Sequence, residues 1–334
     1  MITKSIFIQN LCTPCACRCR YCLLSWNGKT VGIPWERALA FARRFQVWQK
    51  EMRPELDMYY GFGYSMEHPD LRGAIRDLRS IGSPQAEFLQ CDGMKMRDGA
   101  ACGNLCAMLA EEGVKHLNFT IYGLPEYHDR FAARAGDFDL VLRMMAAAKD
   151  AGLQVSAGIP LTHESAAQAG KVIGILRNRA LCDKVSLFVP HEEGRGINLE
   201  PVRFSTEDLS LLSEETLSLL NRRIFRPEGE WIRNRAFAEE SQRTVIISLR
   251  GDNIDRYEAM RPEEILSEIE ALDDAYYAAF PTLPELAERY GDPDGKRFFR
   301  QRDLFYHYRR LYVKEEGISV YDVTDERQSG SRRY

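Results

Sequence analysis

Long apolar runs are missing from this chain of 334 residues. No stretch reaches the roughly 20 residues that a helix needs to cross a bilayer. A dominant charge is missing too. Lys and Arg number 45 against 49 Asp and Glu, a formal net charge of −4 with both signs interspersed. That balance argues against a nucleic-acid-binding or membrane-binding surface. There is no internal repeat and no low-complexity linker. The opening MITKSIFIQN has only a short apolar stretch and no small-residue cleavage site. No signal peptide is read there, and the expected location is cytoplasmic. Cysteine is absent after Cys182.

What is present is ordinary in bulk and unusual in one place. Hydrophobic residues make up 45% of the chain, enough for a sizeable core. The length suits one large α/β domain, or a domain of about 200 residues with an appended region. The nine cysteines are the anomaly, because five fall between Cys12 and Cys22. The others are Cys91, Cys102, Cys106 and Cys182. A tight cluster in a chain read as cytosolic points to metal or redox chemistry rather than to disulfides.

The first half alternates strand and helix. Strands are expected at Ser5–Leu11, Leu56–Gly61, Glu87–Cys91, Lys115–Tyr122, Leu153–Ile159 and Asp183–Val189. Helical spacing runs through Trp35–Glu51, from Pro69 to Gly82, up to Gly113, through Phe138–Ala151 and through Ser165–Arg179. Six strands with crossover helices predict a parallel sheet, as an open doubly wound sheet or a partial barrel. Either arrangement gathers ligands at the carboxyl ends of the strands, and the cysteine cluster follows the first of them. After about Pro201 the rhythm changes. Thr206–Arg223, Pro262–Phe280 and Arg297–Glu315 read as helices. Thr244–Leu249 reads as a lone strand and Ile318–Val323 as a short one, and the polar end Gln328–Tyr334 reads as disordered. The expected division is a core at 1–200 and a mainly helical extension at 201–334.

The segment Cys12–Cys22 reads CTPCACRCRYC. Only Cys15, Cys19 and Cys22 give the spacing Cys-x3-Cys-x2-Cys. One loop with that spacing can donate three thiolates to a cubane [4Fe–4S] cluster and leave one iron without a protein ligand. An open metal position is what a catalytic site needs. Two other readings stand beside this one. Zinc wants four ligands, usually in Cys-x2-Cys pairs; Cys12-x2-Cys15 is one, but no second clean pair follows it in the right context. A ferredoxin-like electron carrier needs a fourth cysteine, which Cys12 or Cys17 would supply. Otherwise Cys12 and Cys17 are passive loop residues. Cys102 and Cys106 lie one helical turn apart and read as small core residues.

The Cys-x3-Cys-x2-Cys loop after the first strand, with Tyr21 before the last cysteine, resembles the signature of the radical S-adenosylmethionine (radical SAM) family. The resemblance runs from about residue 5 to residue 196. It implies a partial (β/α)6 TIM-like barrel, with SAM completing the cluster through its amino and carboxylate groups. It implies that Tyr21 lies beside the adenine. The stretch GFGYSMEHPDL stands where the family has a glycine-glycine-glutamate-proline motif. Aligned on His68–Leu71, Gly63 and Tyr64 inherit backbone contacts to the methionine amino group, although the glutamate is replaced. QCDGMKM resembles a polar-Asn-Gly turn, with Asp92 in place of the asparagine. In NFTIYGLPEYHDRFAARAGDFDLVL, Thr120 stands near the expected ribose and Tyr122 replaces a frequent aspartate. Arg134 there matches an arginine that pairs with the SAM carboxylate, a contact suited to a guanidinium fork. In VSLFVPHEEGRG, Phe188 and Val189 are the candidates for lining the adenine; His191, Glu192, Glu193 and Arg195 sit just past strand six at the active-site end, as substrate contacts or as solvated loop residues.

The expected activity is reductive cleavage of SAM to a 5′-deoxyadenosyl radical that takes hydrogen from a peptide or a small metabolite. Tyr122 is the one catalytic candidate. A flavodoxin-type or ferredoxin-type reductant is implied by the resemblance. With no cysteine after Cys182, an auxiliary cluster in the extension is not expected. No cobalamin-binding region is recognised.

Overall fold

The structure is a computed structural model. It describes residues 2–10, 15–22, 32–61, 65–192, 194–235, 237 and 242–318. Six strands and their helices follow the expected order: β1 (Ile2–Gln9), α1 (Trp35–Met52), β2 (Asp57–Gly61), α2 (Leu71–Ser80), β3 (Phe88–Gln90), α3 (Gly99–Glu111), β4 (His116–Thr120), α4 (Pro125–Ala132), α5 (Asp137–Asp150), β5 (Gln154–Pro160), α6 (His163–Asn178) and β6 (Lys184–Phe188). Their boundaries follow local chemistry. Asp70 caps α2 through the Gly73 N–H, so the helix starts at Leu71 and not at Pro69. Gly152 ends α5 at φ +76°, a left-handed conformation costly for other residues. Thr162 and Ser165 form a reciprocal capping box on α6.

The strands make two parallel arcs, β3-β4-β5-β6 and β2-β1-β8. β8 is Gln242–Ser248, which pairs with β1 from Ile2↔Gln242 to Gln9↔Ser248. The strand expected to stand alone at Thr244–Leu249 is therefore a seventh parallel member, about 240 residues away from its neighbour in sequence. Alternation explains the layers. Ile6 and Ile8 of β1, with Val245 and Ile247 of β8, point outward into a core shared with Phe41 and Phe45 of α1 and with Ile265 and Ile269 of a later helix, Pro262–Ala278. Leu117 and Phe119 of β4 do the same beneath α3 and α5. Each fully buried side chain of this size contributes roughly 1.5–3 kcal/mol. The alternate residues, Phe7, Gln9, Asn118 and Thr120, face the interior.

The rest is short and interrupted. Thr206–Arg223, expected as one helix, is a 3-10 segment (Thr206–Leu211) followed by α7 (Glu214–Leu217). Ser205 caps the first piece and Ser213 the second, so two local starts replace one continuous helix. Then come β7 (Arg226–Pro227), α8 (Glu228–Arg233), β8, α9 (Ile254–Ala259), α10 (Pro262–Ala278), α11 (Leu283–Tyr290), β9 (Phe298–Phe299) and α12 (Gln301–Glu316). β7 and β9 pair antiparallel. Most of Ile318–Val323 and all of Gln328–Tyr334 lie outside the described residues. No helix among the described residues is long and apolar enough to cross a membrane.

Candidate active site at the carboxyl ends of the strands

A cavity of about 500 Å³ opens where β1 to β6 end. Every one of those strands reaches it near its carboxyl end: Gln9, Gly61, Gln90, Thr120, Gly158 and Phe188 line it in strand order. Cys15, Cys19 and Cys22 line it as well, with Cys17 and Tyr21.

The loop is pinned by backbone. The N–H of Ala16 donates to the Gly93 carbonyl at 2.8 Å. Those of Arg18 and Arg20 donate to the carbonyls of Ala132 and Phe131 at 2.9 and 3.0 Å. The Arg195 N–H donates to the Cys22 carbonyl at 3.0 Å. The Arg18 guanidinium donates to the carbonyls of Cys15 and Cys17 at 3.0 and 2.8 Å. Thus α4, absent from the sequence reading, supplies the loop's docking edge, because a helix end leaves carbonyls without partners inside the helix. Gly93 approaches more closely than any side chain allows. It sits at φ +67°, and a Cβ there would lie 2.2 Å from Cys15 Sγ.

The thiols are not equivalent. A hydrogen bond with Cys17 draws the Cys15 pKa down, against the opposing effect of burial. Cys17 moves the other way, because its contacts with Cys15 and Cys19 and its burial all favour the neutral thiol. Cys17 is 4% exposed and directs its S–H to Asp137 Oδ2 at 3.7 Å. Cys12 lies outside the described residues.

Two polar networks support the wall. Asp92 accepts from Gln90 Nε2 at 2.6 Å, and from the Thr120 N–H and hydroxyl at 3.0 Å each. Asn118 donates to Gln90 Oε1 at 2.6 Å and accepts from Ser156 Oγ at 2.5 Å. Burial raises the Asp92 pKa in spite of the donors from Gln90 and Thr120. In the second network the Tyr122 N–H donates to His128 Nδ1 at 3.1 Å, which leaves Nε2–H to donate to Asp137 at 3.1 Å. Burial raises the Asp137 pKa, but hydrogen bonds from His128 and Arg134 outweigh it and the net shift is downward. His128 and Asp137 were not candidates in the sequence. Both lie in the quoted strand-four stretch, and only their burial (0% and 4% exposed) reveals the pair.

Of the other expected residues, Tyr21, Thr120, Tyr122 and Phe188 are on the cavity wall, together with His191. Tyr21 packs edge-on to Tyr122 at 5.7 Å. Arg134 instead spans to Asp137 and the Met94 carbonyl, beside a small void behind the loop. Val189 is 1% exposed in the core beneath β3 to β6. Gly63, Tyr64 and Glu193 lie outside the described residues. Cys102 and Cys106, each 0% exposed on α3, pack in the core, as does Cys91.

Glu192, next to His191, reaches away from the cavity. It bonds Arg203 Nη2 at 2.6 Å and also Arg310 of α12, while its N–H donates to Asp303 at 3.0 Å. Glu192, Glu200 and His307 place potential ligand atoms together. Arg203, Arg297 and Arg310 already neutralise those carboxylates, so the cluster reads as an ionic core.

No family model and no curated protein matches this chain. Solved structures do. SuiB from Streptococcus suis, bound to S-adenosylmethionine, aligns at 10% identity over 73% of this chain and 50% of its own, with a TM-score of 0.47. anSMEcpe with bound AdoMet and the Kp18Cys peptide aligns at 15% identity over 69% of this chain and 61% of its own, with a TM-score of 0.46. HemN from Escherichia coli, a coproporphyrinogen III oxidase described as a radical SAM enzyme, aligns at 11% identity over 92% of this chain and 89% of its own, with a TM-score of 0.43. The chain spans about half the length of SuiB. Likenesses this distant leave the chemistry to be read from the residues themselves.

Proposed function

We propose that this chain is a radical SAM enzyme. The observation that carries the reading is the convergence of Cys15, Cys19 and Cys22 on one cavity at the carboxyl ends of six parallel strands. The residues fit a cluster: one pinned loop carries four thiols and no carboxylate, three of them at the Cys-x3-Cys-x2-Cys spacing, with glycine at position 93 where a Cβ would meet Cys15 Sγ. Cys15, Cys19 and Cys22 would hold the [4Fe–4S] cluster. When bound and reduced, it supplies one electron to the SAM sulfonium, giving methionine and a 5′-deoxyadenosyl radical that abstracts hydrogen. The chain's own part is positioning and shielding. Phe188 and Tyr21 offer flat faces for a purine. Asp92 fixes Thr120, and the aromatic wall limits water.

The substrate is a peptide or a small metabolite. The cavity wall carries Gln9, Gln85, Gln90, Asn118 and Ser186, and no Lys or Arg among the described residues. That lining suits an uncharged polar group better than a phosphate. The electron would come from a flavodoxin-type or ferredoxin-type reductant.

The test is anaerobic. The protein is reconstituted with iron and sulfide and reduced, and its electron paramagnetic resonance spectrum is recorded with and without SAM. A brown protein with a [4Fe–4S] signal that SAM changes supports the reading. A colourless zinc protein overturns it. A brown protein whose signal ignores SAM favours an electron carrier.

A further inference from the structure

We infer that Tyr122 sets the reduction potential of the cluster by donating a hydrogen bond to the Cys19 sulfur. This inference rests on the radical SAM reading and adds a positioning role to it. The hydroxyl of Tyr122 lies 3.2 Å from Cys19 Sγ, and the geometry alone allows either atom to donate. Ligation decides the direction, because a thiolate bound to iron has no proton to give.

The donor is held in place. Tyr122 is 4% exposed. Its ring stacks on Phe131 at 4.6 Å, tilts against His128 at 5.0 Å and meets Tyr21 edge-on. Its backbone N–H is tied to His128, and His128 to Asp137. His128 and Asp137 therefore orient the tyrosine whose hydroxyl touches the ligand. A fixed donor on a cluster sulfur favours the form with more negative charge. Reduction adds one electron to the cluster and moves no proton, since the phenolic hydrogen stays on oxygen in both states. The contact should therefore raise the potential relative to a site without it.

The test is a spectroscopically monitored redox titration of reconstituted protein without SAM, after iron and sulfide are counted. Tyr122→Phe keeps the ring and removes the donor. The expected result is equal loading and a lower midpoint, with an about three- to tenfold lower ratio of reduced to oxidised cluster at the wild-type midpoint; tenfold corresponds to 59 mV for one electron. Tyr127→Phe is the control. Its ring sits in the same aromatic cluster, but its hydroxyl bonds Thr162 at 3.1 Å, so its midpoint should not move. An unchanged midpoint in Tyr122→Phe, or an equal fall in Tyr127→Phe, overturns the inference. If Tyr122→Phe does not load, 3,5-difluorotyrosine at position 122 takes its place. That stronger donor should raise the midpoint, and no rise overturns the inference. A wild-type protein that takes up no iron would instead defeat the radical SAM reading itself.

Discussion

Glu192→Ala should destabilise the fold through a cation left behind in the interior. Glu192 is 0% exposed, and the Arg203 side chain that it pairs with is 2% exposed. Removing one partner of a buried ion pair costs about 3–5 kcal/mol, because the remaining charge stays desolvated. Arg310, whose side chain is 22% exposed, can turn to water. Arg203 keeps Glu200 at 3.3 Å and the carbonyls of Pro190 and Phe298. These favour the lower end of the range. For a chain of 334 residues the unfolding entropy near 60 °C is about 0.7 kcal/mol/K. The expected fall in Tm is therefore about 4–7 °C by scanning calorimetry of the cluster-free protein. The Glu192→Ala/Arg203→Met double variant should be no less stable than Glu192→Ala, since the orphaned cation is gone. A fall below about 1 °C for the single variant would refute the reasoning.

Other perturbations probe other layers. His307 is pushed by burial from the ordinary 6.5 down to about 4, so it is neutral in the folded state while the unfolded chain still takes up a proton. Its contribution is intact above pH 6.5 and is lost as pH falls toward 4, by about 3 kcal/mol in all; His307→Gln should flatten that slope in denaturant titrations. Gly93→Ala should reduce iron uptake several-fold, because its Cβ would meet Cys15 Sγ at 2.2 Å in a left-handed backbone, and iron and sulfide counts will show this. Cys17→Ser should keep the full iron complement, whereas Cys19→Ala should not. Arg309 is 0% exposed among Tyr276, Tyr277, Phe280 and Phe305, and its guanidinium nitrogens make no hydrogen bond among the described residues. Arg309→Met should therefore hold or raise Tm.

The legible parts of the molecule were those written in short spans. Strand and helix periodicity placed β1 to β6, and the loop Cys15–Cys22 announced itself by spacing. Pairings across long separations were not legible. β8 joins β1 through a register that no local pattern specifies, and Glu192 meets α12 across 118 residues. The helix expected at Thr206–Arg223 failed because Ser205 and Ser213 each restart the chain, a competition between side chain and backbone that apolar spacing does not report. Arg134 was recognisable as a charge near the site. Its commitment to Asp137 depended on the turn between α4 and α5, which the sequence reading did not resolve. Tyr122 was flagged for its position, but its contact with Cys19 needed the folded loop.

The radical SAM reading is tested most directly by one product. The reconstituted protein is reduced anaerobically with dithionite, SAM is added, and 5′-deoxyadenosine is quantified beside the Cys19→Ala variant. Formation of 5′-deoxyadenosine by the wild type and not by the variant is the expected result. A fully loaded [4Fe–4S] protein that binds SAM yet forms none, with or without candidate peptides, would contradict it.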